Sequence, residues 1–94
     1  MPGRVLIIDD EPNIRRMMEM IHRNTGWETA TAPGGAQALE LLARESFDVV
    51  YLDLSMPDRG GLEVLADIRR MKSDQLVVIL TGQGTIDRAV EATR

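Results

Sequence analysis

Asp48-Val49-Val50-Tyr51-Leu52-Asp53 is a short apolar run closed by an acid, and Arg4-Val5-Leu6-Ile7-Ile8-Asp9 ends the same way. Runs of this length, rich in β-branched residues and bounded by breakers, read as buried strands. After the first of them, Pro12 suits the opening turn of a helix in which Ile14, Met17, Met18 and Ile21 fall at i, i+3, i+4 and i+7, and Asn24 to Gly26 stops it. After the run ending at Asp53, a loop through Met56-Pro57 and Gly60-Gly61 leads to a helix with an expected inner face of Leu62, Leu65, Ala66 and Ile68. Between these units, Trp27 to Thr31 alternates and is partly polar, which suits a strand at a sheet edge. Pro33-Gly34-Gly35 breaks it, and Ala36, Leu39, Leu42 and Ala43 mark a helix ending around Glu45. Leu76 to Leu80 is a fourth strand, Thr81 to Gly84 a turn, and Thr85 a cap for a last helix whose stripe begins with Ile86, Ala89 and Val90.

Four strands, each followed by a helix, predict a single α/β domain over residues 1–94 with a parallel sheet. Right-handed crossovers put helices on both faces, and ligands in such sheets bind at the carboxyl ends of the strands. Asp9, Asp10, Asp53 and Thr81 all fall at that edge.

Composition narrows the function. With 94 residues, 44% hydrophobic and 28% charged, the chain is an ordinary globular domain, and one domain is the ceiling for its length. Its net charge of -4 supplies no field to attract nucleic acid or anionic lipid, so direct nucleic-acid binding by this segment is not expected. The absence of cysteine excludes disulfides, thiol chemistry and cysteine zinc sites. No apolar run approaches the ~20 residues of a membrane span, and no signal-like segment precedes the first strand, so a cytoplasmic location is expected.

Asp9 and Asp10 close strand one and Asp53 closes strand three, which the crossover rules place close together. Three converging carboxylates repel one another unless a cation sits among them, and hard oxygen ligands favour a divalent ion such as Mg²⁺. Taken singly, each has a structural reading: Asp10, just before Glu11-Pro12, could cap the first helix, and Asp53 could cap a turn. Their joint placement with Thr81 favours a site. His22, beside apolar Ile21, reads as a surface or boundary histidine, and Met17, Met18 and Met71 as core filler.

Ile7-Ile8-Asp9-Asp10-Glu11, then Leu52-Asp53-Leu54-Ser55-Met56-Pro57 with Gly61, then Ile79-Leu80-Thr81-Gly82, resembles a bacterial response-regulator receiver domain over the whole chain. The D-x-x-M-P-x-x-x-G element is the most specific part. Residues 80–92 resemble receivers that head nitrogen-regulation-type transcription activators. The resemblance implies a flavodoxin-like doubly wound sheet with strand order 2-1-3-4, and a signalling phosphoacceptor rather than an enzyme in the usual sense. It implies that Asp53 accepts a phosphoryl group from a histidine kinase, that Asp10, Asp53 and the backbone carbonyl of Ser55 ligate Mg²⁺, and that Asp9 acts largely through water. Thr81 would donate its hydroxyl to a phosphoryl oxygen and report phosphorylation toward an output domain.

Receivers of this family also have a fifth strand ending in a lysine, an aromatic switch residue and a fifth helix, and the present sequence lacks them. The fold is therefore expected to be incomplete by roughly 25 to 30 residues. Lys72, the only lysine, precedes strand four and lies about 15 Å from Asp53 at ~3.3 Å per strand residue, so it cannot substitute. A strand four without its neighbour predicts a homo-oligomer formed through that edge. Two other readings remain at this point: a Mg²⁺-dependent aspartyl-phosphate hydrolase, which the spacing disfavours because no second Asp stands two residues after Asp53 or Asp9, and a non-phosphorylatable fragment acting only in association.

Overall fold

The computed structural model describes residues 3–56 and 60–80. In chain order these form β1 (Arg4–Ile8), α1 (Pro12–Asn24), β2 (Glu28–Ala32), α2 (Gly35–Arg44), β3 (Val49–Asp53), α3 (Gly61–Met71) and β4 (Val77–Leu80). All strand pairs are parallel, in the order β2-β1-β3-β4, which is the doubly wound arrangement expected from the sequence. The stretches read as a turn from Thr81 and a last helix from Thr85 lie outside the described residues.

The alternation along each strand divides the sheet into two faces. On one, Leu6, Ile8, Val50, Leu52, Val77 and Ile79 pack with Ala38 and Leu42 of α2 and Val64 and Ile68 of α3, all buried. The other face carries α1, which reaches β3 through His22 and Tyr51. There Val78 and Leu80 are only half-buried. Among the described residues α1 lies over β1 and β2 and leaves the β4 end of this face open.

Several helix faces are rotated from the sequence reading. In α3 the buried stripe is Gly61, Val64 and Ile68, whereas Leu62 and Ala66 point to solvent. In α2 it is Gly35, Ala38 and Leu42, with Ala36 and Ala43 outside. In α1, Ile14, Met18 and His22 run inward at i, i+4 and i+8, while Met17 and Ile21 are about half exposed, at 49% and 54%. Met71 is exposed too, so neither it nor Met17 fills the core. Gly26, at φ 92°, ends α1 in the left-handed region that favours glycine, where the breaker was expected.

Candidate active site

The first side of the site is built by the chain leaving β1. Asp9 continues the ladder through its N–H to the Ala32 carbonyl (3.1 Å), which holds its side chain in the interior at 5% exposure. The Glu11 N–H donates to Asp9 Oδ1 (2.9 Å) and Arg15 Nη1 to the Asp9 carbonyl (2.7 Å), so the turn into α1 is tied to this one residue at both ends. Asp10 is exposed. It does not cap α1: the N-cap position belongs to Glu11, which makes no side-chain cap, and Pro12 occupies the first turn as the sequence suggests.

The second side is the end of β3. Asp53 pairs with Leu80 of β4 and is buried. Its Oδ1 accepts hydrogen bonds from both the N–H (3.0 Å) and the Oγ (2.9 Å) of Ser55. Beyond it, Met56 sinks into the α2–α3 core, anchoring the loop, and Gly61 returns against the strand end with its N–H on the Leu54 carbonyl (3.3 Å). Carboxylate oxygens of Asp9, Asp10 and Asp53 lie within 4.8 Å of one another. Burial raises the Asp9 carboxyl above the usual carboxylate range, the Glu11 N–H works against that, and the charges of Asp53 and Asp10 add to the rise. Three hard oxygen donors carrying mutual repulsion are the donor set a small divalent cation fits.

Of the residues singled out from sequence, Asp9, Asp10, Asp53 and Ser55 come together, while Thr81 and Pro57 lie outside the described residues. Lys72 caps the far end of α3, where its Nζ donates to the Glu45 carbonyl (2.9 Å). His22 is half-buried, with Nδ1 against the Met18 carbonyl (2.8 Å) and Nε2 against the Tyr51 hydroxyl (3.2 Å). Two contacts escaped the sequence reading. The Ser55 hydroxyl on Asp53 had a faint signal, because a hydroxyl two residues after an aspartate readily bonds back locally. Arg15 had none, since its reach to Asp9 depends on how α1 docks.

Residues 5–94 match the Response regulator receiver domain family. The chain belongs to this family. The receiver domain is 42% identical over 90 residues to the alginate biosynthesis transcriptional regulatory protein AlgB of Pseudomonas putida, an alignment covering 96% of this chain and 20% of AlgB. It is 38% identical over 92 residues to the regulatory protein AtoC of Escherichia coli, covering 98% of this chain and 20% of AtoC. It thus spans about a fifth of the length of these relatives, both of them regulatory proteins. Among solved structures, the response regulator TrrA of Thermotoga maritima, crystallised in complex with Mg²⁺ and BeF, superposes with a TM-score of 0.84 at 37% identity, over 98% of this chain and 81% of TrrA.

Proposed function

We propose that this receiver domain is a phosphoacceptor switch in which Asp53 takes a phosphoryl group from a phosphorylated histidine kinase. The convergence of Asp9, Asp10 and Asp53 at the carboxyl edge of the sheet carries this reading. The Asp53 carboxylate is already a nucleophile and needs no base. One of its oxygens forms a bond to phosphorus while the donor's bond to phosphorus breaks, and the departing group keeps that electron pair. Asp10, Asp53 and the Ser55 backbone carbonyl would hold a Mg²⁺ ion, with Asp9 acting largely through water. The ion supplies positive charge against the oxygens of the transferring group.

The chain's own residues contribute placement. Burial of Asp9 and Asp53 in the rim of the sheet limits competing water, and the ties from Glu11, Arg15 and Ser55 fix where the carboxylates stand before any donor arrives. Thr81, which follows β4 in sequence, would donate its hydroxyl to a phosphoryl oxygen and pass the change to an output domain, one that regulates transcription as AlgB does by name. A partner kinase with a phosphohistidine donor puts the protein in the cytoplasm. Among the described residues no helix is long and apolar enough to cross a membrane.

Exposure to acetyl phosphate and Mg²⁺ followed by intact-protein mass spectrometry tests the reading. The parent protein is expected to gain one phosphoryl group and Asp53→Asn none; equal labelling of both would remove Asp53 as the acceptor.

A further inference from the structure

Asp10 is the one acid of the cluster whose side chain nothing holds: among the described residues its exposed carboxylate accepts no hydrogen bond and makes no ion pair. One of its oxygens nevertheless lies within 4.8 Å of oxygens of Asp9 and Asp53. Its direction is set from its backbone, which has only two soft dihedrals between the planar peptide groups on either side. Each of those groups carries one hydrogen bond. The Asp9–Asp10 peptide is held through its carbonyl, which accepts from Arg15 Nη1 at 2.7 Å, and the Asp10–Glu11 peptide through its N–H, which donates to Asp9 Oδ1 at 2.9 Å. Arg15 stands near the start of α1 and reaches back past its N-terminus, the end at which the helix dipole disfavours a cation. It makes no ion pair among the described residues, although Asp9, Asp10 and Glu11 all lie in the turn it reaches. Charge does not account for its place; the bond to the Asp9 carbonyl does.

We propose that Arg15 is a positioning residue for the divalent cation, holding the Asp9–Asp10 peptide so that the Asp10 carboxylate already stands beside Asp9 and Asp53 before the ion arrives. The inference rests on the reading of these three acids as the Mg²⁺ site. Two effects of the guanidinium oppose each other. As a positive charge it repels the ion, so charge alone would make a neutral variant bind Mg²⁺ more tightly. As a tether it removes the need to order a ligand residue on binding, and fixing one residue's backbone is a large term on the scale of a weak site. The charge is partly exposed and is screened over a Debye length of about 8 Å at physiological ionic strength, whereas a hydrogen bond to a carbonyl at 2.7 Å is not weakened in that way. The tether is the larger effect, and its removal weakens the site. The Glu11 N–H still holds the other peptide group, so the loss is partial.

The test is a Mg²⁺ titration read from amide NMR shifts at about 0.5 M potassium chloride, where screening acts over roughly 4 Å, on the parent, Arg15→Met, Arg16→Met and Asp10→Ala. Methionine keeps an unbranched stem and a high helix propensity and has nothing to donate. Arg15→Met is expected to weaken binding about fivefold, the scale of ordering one of a ligand residue's two peptide groups on binding instead of beforehand, with a thermal midpoint within a few degrees of the parent. Arg16→Met removes the same charge from the exposed side of α1 and should bind as the parent does. Without metal, the carbonyl carbon shift of Asp9 and the amide nitrogen shift of Asp10, which belong to the tethered peptide group, should move in Arg15→Met while those of Leu52 stay. Unchanged or tighter binding in Arg15→Met, an equal loss in Arg16→Met, or unmoved shifts at Asp9 and Asp10 overturns the proposal while leaving the three acids as the site. A parent that binds no Mg²⁺, or an Asp10→Ala protein that binds it as tightly as the parent, removes the metal reading, and this inference with it.

Discussion

Replacing Gly61 by alanine probes how closely the start of α3 returns to the end of β3. A Cβ on Gly61 would stand 2.4 Å from Leu54 Cα, 2.8 Å from the Asp53 carbonyl oxygen and 2.8 Å from Leu54 Cδ2. The first distance is roughly 1 Å short of the ~3.5 Å at which carbon atoms rest in contact, and two of the three atoms are backbone that cannot swing aside. Gly61 does not adopt a positive φ, so alanine suffers no conformational penalty there. At the start of a helix the substitution would by itself stabilise by about 0.4–1 kcal/mol, through a less disordered unfolded chain. Overpacking against backbone costs about 1–3 kcal/mol. The steric effect is the larger, and the net expectation is a loss of about 1–2 kcal/mol, read as a lower urea midpoint at unchanged slope. Because the residue pushed is Leu54, next to Asp53, the strand end must shift as well, and labelling by acetyl phosphate should fall by about ten- to a hundredfold. Gly60 is the control: nothing lies within 4 Å of its would-be Cβ and its φ is -61°. Gly60→Ala should cost no more than about 1 kcal/mol, from a poorer N-cap, and label at nearly the parent rate. A Gly61→Ala protein that is more stable than the parent and labels normally would refute the close approach and the role given to this loop.

Asp10→Ala is expected to weaken Mg²⁺ binding at least about tenfold in calorimetry, since it removes an exposed oxygen donor without disturbing the buried Asp9; unchanged affinity would exclude Asp10 as a ligand. Glu45 has its carboxyl held below its ordinary 4.5, first by the Arg4 hydrogen bond, with burial opposing and the charges of Arg4 and Arg44 assisting. A depressed acid contributes stability that is full above the unfolded value near 4.5 and is lost as pH falls through the folded value. The parent should therefore lose more stability on acidification below that point than Glu45→Gln, and parallel urea midpoints against pH would contradict the pair. Finally, β4 is hydrogen-bonded to β3 on one side only among the described residues, with Leu76 exposed at 45%. The 94-residue chain should sediment as a dimer or larger species at micromolar concentration, and a monomer with protected β4 amides would rule out pairing through that edge.

The fold was legible because its signals are local and agree with one another. Each apolar run is short, each ends in an acid or a breaker, and helical spacing resumes at once, so the alternation of parallel strands and helices follows from general rules, while the strand order came from the resemblance. Helix faces were less legible for a physical reason. In α3, Leu62 and Ala66 meet helical periodicity as well as Gly61, Val64 and Ile68 do, and the close return of Gly61 to Leu54 accompanies the stripe that turns inward, with Leu65 packed at its side. In α1 the inward row ends on His22, whose bonds to Met18 and Tyr51 make a polar ring serviceable at a position that hydropathy alone would give to Ile21. The acids of the site were legible from strand ends; the ties that orient them were not, because Arg15 and the Ser55 hydroxyl act across distances set by docking rather than by spacing.

The same geometry explains why this cluster sits where it does. Asp9 and Asp53 directly follow Ile8 and Leu52, fully buried residues of the α2–α3 core, so the ends of two central strands are held by packing that does not involve the acids themselves. With its carboxyl raised in the fold from the ordinary 3.8, Asp9 is harder to ionise folded than unfolded; that disadvantage is present above the raised value and disappears below 3.8. At neutral pH the folded chain thus carries an electrostatic penalty at its rim, borne by the core beneath. A divalent cation among the three carboxylates relieves that penalty. Phosphorylation would convert the Asp53 carboxylate into a group with more charge at the same point. Both events would act on the end of β3, where Gly61 returns against Leu54 with about 1 Å less room than a side chain there would need.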